Sequence, residues 1–425
     1  MVKVITYGTY DLFHYGHKRL LERAKALGDY LVVGVTSDDY DKTRGKINNQ
    51  QSLMERIAAV EATGLADEII VEEYEGQKID DIRRLGIDIF TVGSDWTGYF
   101  DYLNEYCKVV YLPRTEGISS SDIRAEKRKL VIGTLGEGGL CKKFIREMQY
   151  VNGVAYKEID KSLDEVDAVY IATHPDTHYE NVKKALIAGK HVICESPIAL
   201  NTSQYEELKG MAVDLGLVLA DGIKTAYATA YSRLLVLAKS GRIGNIVSVD
   251  SVCTSLENGA GEVGADLSKK QNSICAWGPT AMLPVFQLLG TDYRSKTIVS
   301  KIIDQERHFD GFSKIDFVFD HAVASAKVGK AAKAEGELII SGTKGYIYVP
   351  APWWKTDYFE VRFENPANNK RYFYQLDGEG IRYEIVAFAK AIESGKGMDY
   401  INQNVSESII RTIESYYNKD IITIS

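Results

Sequence analysis

The sequence is poor in cysteine and has no excess of basic residues. Its five cysteines lie far apart and form no CxxC pair, which excludes a disulfide framework and a cysteine-held zinc site. The formal net charge of −8 argues against nucleic acid or an anionic membrane surface as a partner. No apolar run approaches the roughly 18 residues that a membrane helix needs. We therefore expect a cytoplasmic protein with no nucleic-acid partner, no membrane partner and no set of metal ligands.

What is present is typical of globular domains. An apolar share of 45% with 26% charged residues excludes a disordered chain. A length of 425 residues allows two or three domains. The N-terminus, MVKVITYGTYD, alternates apolar and polar residues and then meets glycine and aspartate, so it predicts a strand and not a signal peptide.

Short β-type runs alternate with helical patterns in the first part of the chain and again in the second. Such alternation predicts parallel, doubly wound sheets. Beyond about Gly244, strand-like runs follow one another with few helices, which predicts a mostly antiparallel sheet. The fold class is therefore α/β, with a small Rossmann-like domain at 1–129, a second Rossmann-like domain at 130–243, and an α+β domain with a mostly antiparallel sheet at 244–425.

Helical spacing of apolar residues predicts three helices in the first domain. They cover His17–Leu27, Leu53–Ala62 and Gln77–Leu85. Gly28 and Gly86 follow two of them, at the positions where C-caps are expected.

Two histidines follow the first predicted strand, at a turn into a helix. His14 and His17 are three residues apart, where backbone N–H groups and the helix dipole attract anions. Imidazoles there can donate hydrogen bonds to phosphate oxygens while charge builds up in phosphoryl transfer. This pattern favours a phosphoryl-transfer site, and the alternative is a pair of turn histidines with no role.

Three further segments carry groups suited to phosphate. Arg44 and Lys46 lie in a compact basic loop of an acidic protein, which suits a polyphosphate unless it is only a solvated charge run. Asp95 follows the fourth strand, at the carboxyl edge where open α/β sheets bind ligands. Arg114 offers a bidentate phosphate contact, and the serine-rich start of the predicted helix Ser119–Leu130 offers hydroxyls and a helix N-terminus.

The segments HYGH, GSDW and RTEGISSS, in this order, resemble the HxGH cytidylyltransferases, and among them the glycerol-3-phosphate cytidylyltransferases. The resemblance extends over about residues 1–130. It implies transfer of CMP from CTP to a polyol phosphate with release of pyrophosphate, with Mg²⁺ as cofactor. It also implies CDP-polyol products that feed teichoic-acid or capsule-type polymers. The acceptor phosphate itself would attack, so positioning and charge neutralisation would carry the chemistry.

The resemblance implies roles for individual residues. His14 and His17 would stabilise the pentacoordinate α-phosphorus, and Lys46 and Arg114 would complete the catalytic set by holding phosphates. Arg44 stands where the family more often has lysine. The residues implied in nucleotide binding are Thr9, Tyr10, Arg44, Arg56, Asp95, Ser119 and Ser120.

A glycine-rich loop follows the strand that begins at Leu130. Gly133, Gly136 and Gly138 suit a dinucleotide-binding loop, although Cys141 occupies the third glycine position of the motif. Further on, DAVYIATHPDTHYENVKKALIAGKHVICESP resembles the Gfo/Idh/MocA oxidoreductases. This resemblance implies a Rossmann domain that binds NAD(P), with Glu195 among the dinucleotide-binding residues, and a substrate-binding antiparallel sheet.

The second half departs from that family at three places. Ser196 stands where the family has a lysine near the nicotinamide. The segment Ala276–Thr280 lacks the Asp and His that the family uses for proton transfer. Between Gly138 and Val169 there is room for little more than one helix and one short strand, so we expect a strand–helix unit to be missing.

Two interpretations of the second half stay open. It is a degenerate scaffold that mediates oligomerisation or binds a sugar, or it is a reductase in which Lys224 and Tyr227 replace the lost proton donors. The reductase would use NAD(P)H to convert a ketose phosphate into the polyol phosphate that the first half activates, for example toward CDP-mannitol or CDP-ribitol. A rival for the whole chain is a regulatory protein that binds nucleotides without turnover. In each case we expect a homo-oligomer.

Overall fold

The computed structural model describes the chain except for residues 44–48, 50, 75, 114–128, 161, 258–266, 268–269, 375, 396–397, 399 and 425. The chain divides into two compact units. The first comprises Met1–Lys129 with Val151–Gly153, and the second comprises Leu130–Tyr150 with Val154–Ser425. The three predicted domain ranges stay predictions. Within the described residues, no helix is long and apolar enough to cross a membrane.

The first unit is built on a five-stranded parallel sheet. Its strands are β1 (Lys3–Gly8), β2 (Tyr30–Thr36), β3 (Glu68–Glu72), β4 (Ile89–Gly93) and β5 (Lys108–Leu112). Its described helices are α1 (Tyr15–Lys25), α2 (Asp38–Thr43), α3 (Leu53–Glu61) and α4 (Gln77–Leu85). The strand order is β3-β2-β1-β4-β5, and all four pairings are parallel. The order reverses between β1 and β4, and open α/β sheets bind ligands at such a switch point.

The first sheet is covered on both faces, which explains its nearly continuous apolar strands. Val4, Leu31 and Val33 belong to one buried cluster, whereas Ile5 and Val32 belong to another. Successive side chains of a strand point to opposite faces of the sheet, so neighbours in sequence enter different cores. The parallel, doubly wound sheet predicted for this part of the chain is confirmed.

The two glycines predicted as helix caps have different roles. Gly86 follows α4 with a φ of 63°, so the predicted C-cap is confirmed. The prediction for Gly28 is wrong, because α1 ends at Lys25 and Ala26 caps it in the right-handed conformation. A Cβ at Gly28 would lie 2.6 Å from the backbone oxygen of Val2. Glycine is therefore needed there for close chain approach and not for a left-handed cap.

The second unit contains a second parallel sheet. Its strands are β6 (Leu130–Leu135), β7 (Val154–Tyr156), β8 (Ala168–Ile171), β9 (His191–Glu195) and β10 (Leu219–Gly222). The helices between them are α5 (Gly139–Met148), α6 (His178–Ile187) and α7 (Thr202–Asp214). The strand order is β10-β9-β8-β6-β7 with parallel pairing throughout. This arrangement confirms the Rossmann-like prediction for the second part of the chain.

This sheet is shorter on one side than a complete dinucleotide-binding sheet. In the described residues between the glycine-rich loop and β8, only α5 and the three-residue β7 are present. The predicted absence of a strand–helix unit is therefore confirmed in the part of the chain that the structure describes. The sheet ends at β7, on the side where a six-stranded order would continue with a further strand.

The rest of the second unit is built on a nine-stranded sheet. Its strands are β11 (Ile246–Thr254), β12 (Ser295–Asp304), β13 (Phe309–Val318), β14 (Val323–Gly329), β15 (Leu338–Gly342), β16 (Tyr346–Val349), β17 (Tyr358–Arg362), β18 (Lys370–Phe373) and β19 (Ile422–Ile424). The helices are α8 (Thr229–Lys239), α9 (Ser273–Leu289), α10 (Ile381–Ser394) and α11 (Gln403–Tyr417). The order is β18-β17-β16-β15-β11-β14-β13-β12-β19, and only the β11–β14 and β12–β19 pairs are parallel among the described strands. The predicted mostly antiparallel sheet is confirmed.

Candidate functional site

The first candidate site lies at the carboxyl edge of the first sheet, beside its switch point. β1 ends at Gly8, and the chain then turns into α1, whose N-cap is His14. On the other side of the switch point, β4 ends at Gly93 and continues into a short 3₁₀ helix that carries Asp95. The topology therefore brings two of the predicted segments to one edge of the sheet.

His14 and His17 lie side by side at the start of α1. Their ring centroids are 3.9 Å apart and their planes differ by 22°, so the two imidazoles are stacked. His14 Nδ1 accepts a hydrogen bond from the N–H of Gly16 at 3.0 Å. Because an accepting Nδ1 carries no proton, the neutral His14 ring carries its proton on Nε2. The first turn of α1 contains no acidic side chain, so it suits an anion.

The turn before α1 is strained and supports His17. Tyr10 and Leu12 have φ values of 56° and 48°, a left-handed conformation that is costly for residues with a side chain. The Tyr10 ring is buried, and it meets His17 edge-on with centroids 5.5 Å apart. A Cβ at Gly8 would lie 3.0 Å from Tyr10 Cζ, so glycine makes room for this ring. The structure thus places Tyr10 in the core, packed against His17.

Thr9 and Arg56 belong to one buried polar network. Thr9 Oγ1 donates a hydrogen bond to Asp41 Oδ1 at 2.9 Å. The fully buried Arg56 donates to the backbone oxygens of Thr9 at 2.6 Å and Thr36 at 2.8 Å, and it pairs with Asp38. The resemblance implies that Arg56 binds nucleotide, whereas in this structure its guanidinium is directed to protein groups. Arg56 therefore holds the turn that leads into α1.

A second polar link ties α3 to the same turn. Gln51 Oε1 accepts a hydrogen bond from the N–H of Leu12 at 2.8 Å, and the N–H of Gln51 donates to the buried Asp11 at 3.0 Å. Ser52 and Glu55 form a capping box at the start of α3. Asp11, Asp41 and Gln51 are not among the site residues predicted from the sequence. The S-x-x-E spacing of the capping box was a signal for the helix start beside them.

Asp95 lies on the exposed side of the same edge. The neighbouring Trp96 is 37% exposed, and its ring packs against Tyr99 and Phe100 with centroids 5.4 and 5.8 Å away. This aromatic group supports the 3₁₀ helix that carries Asp95. Five predicted site residues lie outside the described residues, namely Arg44, Lys46, Arg114, Ser119 and Ser120.

A small cavity of about 50 Å³ borders Thr9 and Trp96. Its wall contains a buried ion pair between Lys78 and Glu72. The ammonium group of Lys78 also lies 4.7 Å from the centroid of the Tyr7 ring. Because either charge alone is costly to bury, loss of one partner should destabilise the wall of the cavity.

The glycine-rich loop of the second unit leaves open space at its end, where it enters α5. A Cβ at Gly133 would lie 2.5 Å from Ile159 Cγ1, and Gly136 has a φ of 126° with its Cβ position 2.5 Å from a backbone oxygen. In contrast, no atom lies within 4 Å of a Cβ at Gly138, the N-cap of α5. Cys141 occupies the third glycine position, and burial raises the pKa of its thiol to about 11. The loop can therefore admit a phosphate group at Gly138.

Three carboxyl groups are enclosed near the carboxyl ends of β9 and β10. They belong to Glu195 at the end of β9, Asp221 in β10 and Glu384 on α10. Burial raises the pKa of Glu195 to about 7, although a hydrogen bond from Tyr170 opposes the shift. Burial also raises the pKa of Glu384 well above its ordinary value, and the charge of Glu195 adds to this effect. Buried Oδ1 of Asp221 and Oε1 of Glu384 accept no hydrogen bond from a described residue.

The two residues predicted for a reductase lie beside these carboxyl groups. The charge of Lys224 lowers the pKa of both Glu195 and Glu384, against the effect of burial. Lys224 Nζ also lies 3.1 Å from Glu379 Oε2. Tyr227 is buried, and its hydroxyl donates to the backbone oxygen of Asp221 at 2.8 Å. Glu384 is not among the residues predicted from the sequence, although a lone carboxylate within the apolar stretch YEIVAFA was a signal for it.

Comparison with known proteins agrees with this division of the chain. Residues 5–126 match the family model described as Cytidylyltransferase-like, and residues 127–222 match that of the oxidoreductase family with an NAD-binding Rossmann fold. Both resemblances drawn from the motifs are therefore confirmed.

The second half has the fold of known oxidoreductases. The crystal structure of KijD10, a 3-ketoreductase from Actinomadura kijaniata in complex with NADP and TDP-benzene, aligns with a TM-score of 0.59 and 17% sequence identity. The alignment covers 70% of this chain and 99% of that chain. At this identity the likeness shows the fold alone.

The N-terminal part has relatives at much higher identity. It is 51% identical over 130 residues to glycerol-3-phosphate cytidylyltransferase from Bacillus spizizenii, a match that covers 31% of this chain and all of that protein. It is 50% identical over 126 residues to the Bacillus subtilis enzyme of the same name, covering 30% of this chain and 97% of that protein. The prediction of a nucleotidyltransferase is confirmed at the level of the family. Through its N-terminal part, the chain belongs to the cytidylyltransferase-like family.

Proposed function

We propose that the first unit transfers CMP from CTP to a polyol phosphate of the glycerol 3-phosphate type. The observation that carries this proposal is the stacked pair of His14 and His17 at the N-terminus of α1. The identity to glycerol-3-phosphate cytidylyltransferases supports CTP and a polyol phosphate as the substrates. In this reaction an oxygen of the acceptor phosphate attacks the α-phosphorus of CTP. The bond from that phosphorus to the bridging oxygen breaks, and pyrophosphate leaves.

The geometry assigns separate tasks to the residues at this edge. His14 offers the proton on Nε2 to an α-phosphate oxygen, because its Nδ1 is already used by the N–H of Gly16. The helix N-terminus adds partial positive charge at the same place. Arg56 positions the turn and does not contact the substrate. Among the described residues, no three His, Cys, Asp or Glu side chains are placed to hold a metal ion together, so we assign no protein ligand to the Mg²⁺ expected with the triphosphate.

The acceptor is tested by measuring pyrophosphate release from CTP with a panel of phosphates. The panel contains glycerol 3-phosphate, ribitol 5-phosphate, arabinitol phosphate and mannitol phosphate. We expect release with at least one of them and none with the corresponding free polyols. No release with any member would refute the transferase proposal. Activity with a longer polyol phosphate would favour a reductase in the second half, because reduction of the corresponding ketose phosphate would produce that polyol phosphate.

The role of the histidine pair is tested by His17→Ala. We expect cytidylyl transfer to fall at least a hundredfold, because a donor that stabilises developing charge in a transition state is worth about that much. His321→Ala removes an exposed imidazole from the second unit and should leave the rate unchanged. A loss of tenfold or less in His17→Ala, in a protein that unfolds at the parent temperature, would show that His17 is a bystander.

We further propose that the second unit binds NAD(P) at the N-terminus of α5. The open space at Gly138 and the absence of acidic residues in the first turn of α5 suit a pyrophosphate. Gly138→Ala places a methyl group in that space at a φ of −74°, so stability should be retained. NADPH titration by fluorescence should show at least tenfold weaker binding in this variant. If the parent shows no saturable binding of NADPH at concentrations below about 1 mM, this proposal is wrong.

A reductase is the second candidate function for this unit. Its support is Lys224, whose ammonium group lies near Glu195 and Glu384 and supplies the positive charge that Ser196 does not. Bound NAD(P)H would supply the hydride for a ketose phosphate, and the positive charge of Lys224 would help to bind that anionic substrate. The buried Tyr227 hydroxyl, which is bonded to a backbone oxygen, would stay a packing group. A scaffold without turnover remains the alternative, and NADPH oxidation with fructose 6-phosphate and ribulose 5-phosphate decides between them.

The proposed product, a CDP-activated polyol, would be consumed by enzymes that build polyol-phosphate polymers. The glycerol-phosphate relatives support this placement in cell-wall or capsule synthesis. CTP is a cytoplasmic substrate, so we propose that the chain acts in the cytoplasm. The predicted homo-oligomer stays a prediction, which sedimentation of the full chain would test.

A further inference from the structure

A carboxylate in the second unit is surrounded by three lysines from separate elements. Glu379 Oε2 lies 2.9 Å from Lys143 Nζ on α5 and 3.1 Å from Lys224 Nζ. Glu379 Oε1 lies 2.9 Å from Lys355 Nζ. Lys224 and Lys355 belong to two short 3₁₀ helices. Four segments that are far apart in sequence therefore converge on one anion.

The charges of this lysine cluster do not balance. Three ammonium groups face one carboxylate, and although burial raises the pKa of Glu379, hydrogen bonds from the three lysines hold it at about 2. Glu195 and Glu384 are also close to Lys224, but burial raises the pKa of both and so reduces their negative charge near neutral pH. The cluster keeps an excess of positive charge that a monovalent anion does not neutralise.

Glu379 reaches the lysines from a strained turn. Gly378, Glu379 and Gly380 have φ values of 57°, 56° and 94°, and this left-handed conformation is costly for a glutamate. A Cβ at Gly378 would lie 2.2 Å from Glu147 Oε2, so the turn is packed closely against α5. The Glu379 side chain itself is 33% exposed, so it can rotate away from the lysines, and the strained turn then loses the ion pairs that hold it.

We propose that Lys143, Lys224 and Lys355 form a binding site for the phosphate group of a phosphorylated polyol or ketose, and that Glu379 occupies this site until the ligand displaces it. A phosphate monoester carries close to two negative charges and three acceptor oxygens near neutral pH, which match three ammonium donors. This site is independent of cytidylyl transfer in the first unit.

The decisive perturbation is Glu379→Gln in the full chain. It removes the competing charge and keeps the shape of the side chain, so inorganic phosphate and ribitol 5-phosphate should bind about tenfold more tightly in calorimetric titrations. Lys355→Met removes one of the three donors, and both ligands should bind about tenfold more weakly. Free ribitol should bind equally to all three proteins. If Lys355→Met does not fold, Lys143→Met removes another donor and serves the same purpose.

Glu207→Gln is the matched control for the loss of a carboxylate. Glu207 pairs with Lys183 at 2.6 Å in the same unit, with exposure similar to that of the lysine cluster, and it faces a single lysine. We expect no change of phosphate affinity in this variant. Hydrogen exchange locates the effect, since phosphate should increase exchange in the peptide 376–384 of the parent chain and not in Glu379→Gln.

The outcomes separate this proposal from its alternatives. If Glu379→Gln binds phosphate no more tightly than the parent, or if Lys355→Met and Lys143→Met bind it equally well, the lysine cluster is an internal ion-pair network and the proposal fails. If NADP or ADP competes with inorganic phosphate and ribitol 5-phosphate does not, the site serves a nucleotide phosphate and the polyol or ketose assignment is wrong. Absence of pyrophosphate release from CTP would refute the transferase and leave this result unchanged.

Discussion

The buried guanidinium of Arg56 gives the sharpest test of how the first site is built. Arg56→Leu would remove the hydrogen bonds to the backbone oxygens of Thr9 and Thr36 and the cation that faces Asp38 and Asp41. Breaking one side of a buried ion pair costs about 3–5 kcal/mol, because the remaining charge stays buried without its partner. For a unit of this size, such a loss corresponds to a fall in melting temperature of about 10–20 °C.

The conservative change Arg56→Lys separates a positioning role from a phosphate contact. Lysine keeps the charge and loses the planar fork that reaches several acceptors at once, so we expect a loss of about 2 kcal/mol. Because the chain has two compact units, stability is best measured by hydrogen exchange of peptides from residues 1–112. Arg23→Lys is the control, since Arg23 donates to one backbone oxygen, that of Pro113, at an exposed position. We expect its exchange to match that of the parent.

The result that would refute this reasoning is specific. If Arg56→Lys exchanges like the parent in residues 1–112 while the KM for CTP rises tenfold or more, the arginine contacts substrate phosphate. From the structure we expect a different result for Arg56→Lys. Hydrogen exchange should be faster around the turn, and kcat should fall because His14 and His17 are misplaced.

Two further changes test buried charge in the two units. Glu384→Gln removes a carboxyl group whose pKa burial raises, so the folded state binds its proton more tightly than the unfolded state does. The free energy of unfolding of the parent should therefore fall as pH rises above the ordinary glutamate pKa, by up to about 1.4 kcal/mol per pH unit. In urea unfolding between pH 5 and 8, the free energy of unfolding of the variant should fall less. If the free energy of unfolding changes with pH equally in both proteins, the pKa of Glu384 is not raised. Lys78→Met leaves Glu72 buried without its cation and should destabilise the first unit by about 3–5 kcal/mol, whereas the double variant with Glu72→Gln should recover much of this. A loss below about 1 kcal/mol in Lys78→Met would show that the pair is solvated.

Elements with a strong local pattern were predictable from the sequence. α4 covers Gln77–Leu85 as predicted, because its apolar spacing and the glycine after it are local signals. The strand β14, Val323–Gly329, has no such signal, because its alanines and serine have weak strand propensity. This strand forms because β11 and β13 pair with it on both sides, and those partners are distant in sequence.

The sequence does not show whether a charged side chain faces a ligand or the protein interior, and this was the main limit in predicting the first site. The histidine pair and its helix start could be read from HYGH, since a strand-to-helix turn presents N–H groups wherever it occurs. The resemblance implied a place for Arg56 among the nucleotide-binding residues, but it carries no information about the direction in which that side chain points. Its side chain is instead enclosed by backbone oxygens of two strand ends and by two carboxylates.

The sequence by itself determined the alternation of strands and helices, the mostly antiparallel end of the chain, the HxGH helix start and the missing strand–helix unit. Each of these depends on periodicity, spacing or length within one segment. Only the tertiary structure decided which charges are buried and which are brought together. The cluster of Lys143, Lys224 and Lys355 around Glu379 comes from four segments up to 236 residues apart, and no local pattern encodes their convergence. Long-range packing sets the surroundings of a charge, and those surroundings decide whether it binds a ligand or holds the fold.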